Sequence, residues 1–597
     1  MTNTIRQTLR TILSCGLAFA LMAPSALATE MVEVRQKIDS DGMYRQARRA
    51  RGPKMPTSVN SIEQSIQLLS ADERVTTAVV DQIFLLAEDP DEMVELTLSY
   101  DGMLDASMWS DLEALGGEVV QVFSSIDGCS VRLPAGNADQ LISNYKITQI
   151  DWNAPMGFSM DVARTAAQVP VVTGPNNDDD DGSETPLTQQ GHLGKEREDT
   201  GGSGVTIALI DSGVRAHPDL NNLIGCIDLR TPTTNPLDPY ESTAKLAGDP
   251  LGCTSLTDPF GHGTHIAGIL IGDGTASNGL YKGIAPGAEL ISIRVLDDEG
   301  MADVADVITG IDWVIENKGK HDIDIISLSL GGPFFVPSAE DPLVQAVEAA
   351  WDAGIVVVVS AGNFGTYGNF TITRPGNSPK VITVGALTDW NSLVLPDDLK
   401  SSYSSMSPTL FDGYLKPDLV APGNRIVAAR AAGSALDQLL QPMGAVVGND
   451  YLEMSGTSMA TPIVAGAAAL MLEKESLTPD EIKGRLMLSA SDLPGNPLEH
   501  GAGRIDIAGA LADVSSVPSA LSPRVLQAPV CCDLYVEDLA GIWGGSWDAG
   551  AIWGDSTLWS DSTLWGDSTL WSDSTLWSDS TLWGDSTLWS DSVVIGE

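Results

Sequence analysis

The chain has 597 residues, 43% of them hydrophobic, and a formal net charge of −47. That length allows three or four domains with a sizeable core. Such acidity argues against nucleic acid and anionic membranes as partners, because both are negatively charged.

Residues 1–28 read as a secretory signal. Arg6 and Arg10 precede an apolar run over 12–23, and Ala26-Leu27-Ala28 offers a small-residue cleavage site. The protein is therefore expected outside the cell. The apolar stretch 463–472 is too short to span a bilayer and predicts a buried helix, so no membrane span is expected. Residues 29–91 form an N-terminal extension without a readable pattern. Residues 92–156 predict a small unit: strands at 93–100, 119–124, 130–133 and 147–152, with helices at 106–115 and 137–145. That β-α-β-β-α-β order predicts a ferredoxin-like α+β fold. Residues 157–202 hold the run Asp178-Asp179-Asp180-Asp181 and predict an acidic linker, too polar to build a core.

From 203 to 513 the texture changes. Short apolar runs at 205–210, 290–295, 323–328, 355–359 and 381–384 alternate with helical stretches such as 304–317, 342–353 and 459–473. Apolar on both faces and β-branched, the runs predict an α/β domain whose parallel sheet is covered by helices on both faces. Ligands bind such sheets at the carboxyl ends of the strands. Asp211 and Asn363 fall just past two such ends.

A linker over 514–542 leads into the tail, 543–597. Trp553, Trp559, Trp565, Trp571, Trp577, Trp583 and Trp589 recur every six residues, mostly as Trp-(Gly/Ser)-Asp-Ser-Thr-Leu. Six is even, so in a strand Trp, Asp and Thr share one face. The repeat fits a β-prone tail that binds a cell surface, a glycan or another copy, and fits a low-complexity, partly ordered tail equally well. Cys226 and Cys253, in one loop-rich stretch, are the first candidates for a disulfide, a pairing that spacing alone leaves open.

Three short segments carry the chemistry. Ile210-Asp211-Ser212-Gly213 offers a carboxylate, Gly261-His262-Gly263-Thr264-His265 an imidazole, and Gly456-Thr457-Ser458-Met459 a hydroxyl. A serine hydroxyl becomes a good nucleophile only when a base takes its proton, and the base needs a buried acceptor to fix its tautomer. His265 is the weaker base candidate. A second Asp-Thr-Gly at Asp199 lies too close along the chain to Asp211 for a two-lobed carboxylate dyad.

These motifs resemble those of the subtilisin-like serine peptidases (subtilases, peptidase family S8), whose chain order is also Asp, His, Ser. The likeness covers about 201–512 and takes in Gly283-Ile284-Ala285-Pro286, Ser329-Leu330-Gly331-Gly332, Ser360-Ala361-Gly362-Asn363 and Lys416-Pro417-Asp418. It implies a subtilisin-like fold and a secreted, self-processing serine endopeptidase acting on polypeptide substrates, with no cofactor required for chemistry. Residues 92–156 would be its own propeptide, an intramolecular inhibitor, cut away somewhere between 156 and 202. By the same resemblance Ser458 attacks, His262 is the base and Asp211 orients it. Asn363 and the Ser458 amide would hold the oxyanion, with Pro462 in the first turn of the helix that Ser458 begins. Ser329, Leu330, Gly331 and Gly332 on one side and Gly300 on the other would bind substrate by strand addition. Asp297-Asp298-Glu299 beside Gly300 suits basic substrate residues, although a solvated loop explains it as well.

Two departures stand out. Ile463 replaces the family's usual histidine, and the loop 272–282 differs from the calcium loop of the best-known members. A structural calcium stays open, with Asp219 as one available ligand, and no metal residues are assigned. A reading of another class also stands: an extracellular adhesion or binding protein that uses the Trp-repeat tail, with the peptidase domain as scaffold.

Overall fold

The computed structural model describes residues 69–70, 72, 74–85, 91–101, 112–143, 146–157, 201–230, 257–389, 398–527, 534–539 and 542. The expected signal, residues 158–200 of the linker expected over 157–202, residues 106–111 of the helix expected over 106–115, Cys253 and the Trp-repeat tail lie outside the described residues.

The N-terminal unit comprises α1 (Thr77–Leu85), β1 (Met93–Tyr100), β2 (Glu118–Val122), β3 (Gly128–Pro134) and β4 (Ile147–Trp152). Its strands form an antiparallel sheet in the order β2-β3-β1-β4. Leu96, Leu98, Val131, Leu133 and Ile150 make its core, closed by Val79 and Ile83 of α1. That helix lies in the stretch left without a pattern. The helix expected over 137–145 is a 3-10 helix, Ala135–Ser143. Its buried residues, Ala135, Ala138 and Leu141, recur every three positions, which is the 3-10 period and not the α period.

A short strand, β5 (Pro155–Gly157), leads out of this unit. The main domain follows with β6 (Thr206–Asp211), β7 (Leu223–Asp228), α2 (His262–Ile271), β8 (Glu289–Arg294), β9 (Met301–Asp303), α3 (Val304–His321), β10 (Ile323–Leu328), α4 (Pro342–Asp352), β11 (Val356–Ser360), β12 (Ile382–Thr388), β13 (Leu399–Lys400), β14 (Leu419–Pro422), α5 (Thr457–Lys474) and α6 (Pro479–Leu488). Eight of these strands form one sheet, β13-β12-β11-β10-β6-β8-β7, with β14 also on β12. All its pairings are parallel except β12 with β13. Strand β7 was not expected, because Gly225 interrupts a half-buried edge strand that lacks a clean apolar run.

Every residue of β6 and β11 is buried. Helices α2 and α5 pack together, as do α3 and α4, and both pairs lie against the sheet. Capping starts the second pair. Asp303 and Asp306 form a capping box on α3, and Asp341 accepts the Leu343 amide at 2.9 Å at the start of α4, with Pro342 in its first turn. Helix α5 is apolar all round and buried from Thr457 to Met471, including Ile463, as a helix through a core must be. Among the described residues no helix is long and apolar enough to cross a membrane.

From β6 the chain first builds β7 and β8 on one side, then crosses to β10, β11 and β12 on the other. The carboxyl ends of β6 and β10 are therefore a switch point of the sheet, where α/β folds place their ligands.

Candidate active site

Asp211 is the last residue of β6, and its side chain is 1% exposed. The first turn of α2 lies tight against the turn that follows. A Cβ on Gly263 would stand 2.1 Å from the Gly213 carbonyl, so only glycine allows the approach. This contact puts His262 Nδ1 2.9 Å and 3.0 Å from the two Asp211 oxygens. An ionised carboxylate only accepts, so Nδ1 carries the proton and Nε2 is the nitrogen able to take one. His265 is not brought to the site. Its Nε2 donates to the Leu452 and Ile426 carbonyls at 2.9 Å and 3.2 Å, and burial pulls it down to about 4.

Ser458 is the second residue of α5. Its Oγ donates to the Ser329 carbonyl at 3.1 Å, and Ser329 Oγ donates back to the Ser458 carbonyl at 2.9 Å. Pro462 explains the second bond. Expected in the first turn, it is the sixth residue of α5 and lacks the amide that would bond the Ser458 carbonyl four residues earlier. The Ser329 hydroxyl satisfies that carbonyl instead.

Asn363 follows β11 through Gly362, whose φ is +101°. Its Oδ1 accepts the Thr457 amide at 2.8 Å, which fixes Nδ2 as the other end of the carboxamide. A Cβ placed on Gly456 would lie 3.1 Å from that Nδ2 and 3.7 Å from the Ser458 amide nitrogen. The missing side chain thus leaves a space bordered by two N–H donors at the positive end of α5.

Ser329, Leu330, Gly331 and Gly332 follow β10 at the same sheet edge. Leu330 is buried, Gly331 packs against Thr373, and Gly332 exchanges backbone hydrogen bonds with Arg374 at 3.1 Å and 3.2 Å. Gly300, at φ +81°, leads into β9 and packs on the Phe260 ring. Strand β9 is paired with β5: Pro155 opposite Asp303, Met156 opposite Ala302, Gly157 opposite Met301. Of the neighbouring acids, Asp298 pairs with Arg294 at 2.6 Å, and Asp297 accepts the Glu299 and Met301 amides at 3.0 Å and 2.8 Å.

Asp219 lies elsewhere, where its oxygens accept the Tyr451 hydroxyl at 2.6 Å and the Ala276 amide at 2.7 Å. Among the described residues no cluster of three or more His, Cys, Asp or Glu could hold a metal. Cys226 is disulfide-bonded. Asp258 was overlooked in the sequence. The available signal was its place four residues before His262, close enough to reach the start of α2.

Residues 202–504, about half of the chain, match the model of the subtilase family. Serine protease AprX of Bacillus subtilis (strain 168) is 44% identical over 314 residues, which are 51% of this chain and 65% of that protein. Subtilisin of Bacillus pumilus is 33% identical over 312 residues, 52% of this chain and 91% of that protein. The fold is similar to that of fervidolysin from Fervidobacterium pennivorans, a keratinolytic enzyme related to subtilisin, with a TM-score of 0.52 at 23% identity over 71% of this chain and 62% of that one. The chain spans less than two thirds of AprX and of fervidolysin. Its sheet, its switch-point residues and its match to the family over 202–504 agree: the chain belongs to the subtilase family.

Proposed function

We propose that this chain is an exported, self-processing serine endopeptidase that cleaves polypeptides with Asp211, His262 and Ser458. The observation that carries the reading is the contact of His262 Nδ1 with both Asp211 oxygens, in a subtilase fold with Ser458 at the buried start of α5. Ser458 Oγ leaves the Ser329 carbonyl and attacks the peptide carbonyl, and His262 Nε2 takes its proton. Asp211 stabilises the imidazolium that forms. The oxyanion enters the space at Gly456 and meets Asn363 Nδ2 and the Ser458 amide. His262 then protonates the leaving amine, the acyl-enzyme forms, and water repeats the sequence in reverse. Nucleophile, base and orienting acid are all side chains, so bond cleavage calls for no cofactor.

Substrate lies along β9 and the segment Ser329–Gly332 as an added strand. The pairing of β5 with β9 supports this, and supports residues 92–156 as a propeptide that inhibits by occupying the same edge. Two further contacts hold that unit in place. Asp312 accepts the Ser124 and Ser125 amides, each at 2.8 Å, and Asn153 accepts the Ala305 amide at 2.9 Å. The signal-like residues 1–28 support export, and the Trp-repeat tail suits attachment to a surface.

The test is to express the full chain and its Ser458→Ala variant and to sequence new N-termini after incubation with a protein substrate. The wild type should cut itself at a bond between residues 156 and 202 and cut the substrate, and Ser458→Ala should do neither. Equal cleavage by the variant would contradict the reading.

A further inference from the structure

Asp258 lies 3% exposed between the turn after β6 and the first turn of α2. Helix α2 takes no side-chain cap from its N-cap residue, Gly261. Asp258 supplies one from outside: Oδ1 accepts the Gly261 amide at 2.7 Å, and Oδ2 accepts the Thr264 amide at 2.8 Å and the Thr264 hydroxyl at 2.6 Å. A cap needs no more than this. Yet Oδ1 also accepts the Ser212 hydroxyl at 2.9 Å, and Ser212 Oγ accepts the Gly263 amide at 2.9 Å. The residues on both sides of His262 and the residue after Asp211 therefore depend on one carboxylate. Four donors use the full acceptor capacity of an ionised carboxylate. An amide in its place would turn a donor toward donors.

We propose that Asp258 is a positioning residue, which acts through Ser212 and Gly261 to hold the turn carrying Asp211 against the turn carrying His262. This rests on the serine-peptidase reading above. The two-oxygen approach of His262 to Asp211 requires both segments in register, and a displacement of about 1 Å at such a site costs on the order of 100-fold in rate.

The experiment compares Asp258→Asn, Ser212→Ala and the wild-type full chain after self-processing, with kcat and KM measured on a chromogenic peptide. Active sites are counted by phosphonate titration. Ser212→Ala keeps the Asp258 cap on α2 and removes the two hydrogen bonds of the Ser212 hydroxyl, to Asp258 and from the Gly263 amide, that link the segments. A ¹⁵N-histidine spectrum of each variant in the Ser458→Ala background reads the His262 Nδ1–H proton directly. Thr478→Ala is the control, because Thr478 caps α6, a helix that carries none of the site residues.

Asp258→Asn should lower kcat per active site by about 100-fold and Ser212→Ala by about 10-fold, with KM changed by less than about twofold. Both should shift the Nδ1–H resonance, whereas Thr478→Ala should lower Tm and leave kcat alone. A wild-type kcat and an unshifted resonance in Ser212→Ala would overturn the proposal, as would losses confined to KM. If Asp258→Asn does not fold, Ser212→Ala decides. An inactive wild type would instead overturn the peptidase reading, and the Nδ1–H resonance would still judge the role of Asp258.

Discussion

The carboxamide oxygen of Asn363 accepts the amide of Thr457, one residue before Ser458, at 2.8 Å. This bond sets which end of Asn363 borders the space at Gly456. Asn363→Ala should therefore lower kcat by about 10²–10³, the magnitude known for this donor in subtilisin itself, and leave KM nearly unchanged. Gly456→Ala should do comparable damage, because its methyl would fill the space 3.1 Å from Asn363 Nδ2. Steady-state kinetics on a peptide substrate checks both, and an unchanged kcat in either would remove Asn363 from the chemistry.

Docking of the N-terminal unit should weaken as pH rises. Burial, then Asp306 and Glu95, push Asp303 up to about 7 against the pull of Arg230 and Arg132. Burial pushes Asp312 up to about 6 despite the hydrogen bonds from Ser125 and Ser124. Glu95 and the Ser124–Ser125 amides belong to the docked unit. Separation would expose both groups and remove the Glu95 charge from Asp303, so both would titrate closer to the ordinary aspartate value of 3.8. The docked form thus holds protons that the separated form has lost, so docking is strongest below about pH 4 and declines up to about pH 7. Each pKa unit that docking contributes is worth about tenfold. Hydrogen exchange of the Met156 and Gly157 amides in full-chain Ser458→Ala, corrected for intrinsic rates, should show less protection at pH 8 than at pH 5. Equal protection would contradict the assignment.

Lys483 is fully buried, and its ammonium donates to the Pro379 and Lys380 carbonyls, each at 3.0 Å, and to Ser522 Oγ at 2.8 Å. It also lies 3.3 Å from Asp418, which pairs with Lys416 at 2.7 Å. It ties α6 and the C-terminal segment to the entry of β12. Asp418 keeps its pair with Lys416, so Lys483→Met would leave the carbonyl and hydroxyl acceptors buried without a donor, at a cost of about 1–3 kcal/mol each. Thermal unfolding in the Ser458→Ala background should show Tm lowered by roughly 10 °C. A Tm within a degree or two of the parent would mean that the cluster adds little.

The central strands were legible because parallel strands buried on both faces leave continuous β-branched runs, as in Val356–Ser360. The motifs around Asp211, His262 and Ser458 were legible as spacing, but their convergence is a property of strand order, which no local pattern reports. Edge strand β7 and helix α1 escaped because their burial is partial or short. The consequence of Pro462 also escaped, because it is felt at the carbonyl of Ser458 and answered by Ser329, 129 residues away. The place of Asp258 before His262 is a local signal for its cap on α2, but its link to the Asp211 segment is not, because Ser212 is 46 residues back.

The most direct measurement is covalent labelling of the full chain with a peptide phosphonate, with the adduct located by mass spectrometry. One adduct is expected, on Ser458, abolished by His262→Ala and slowed roughly 10⁴-fold by Asp211→Asn. An unmodified Ser458, or labelling indifferent to His262→Ala, would contradict it.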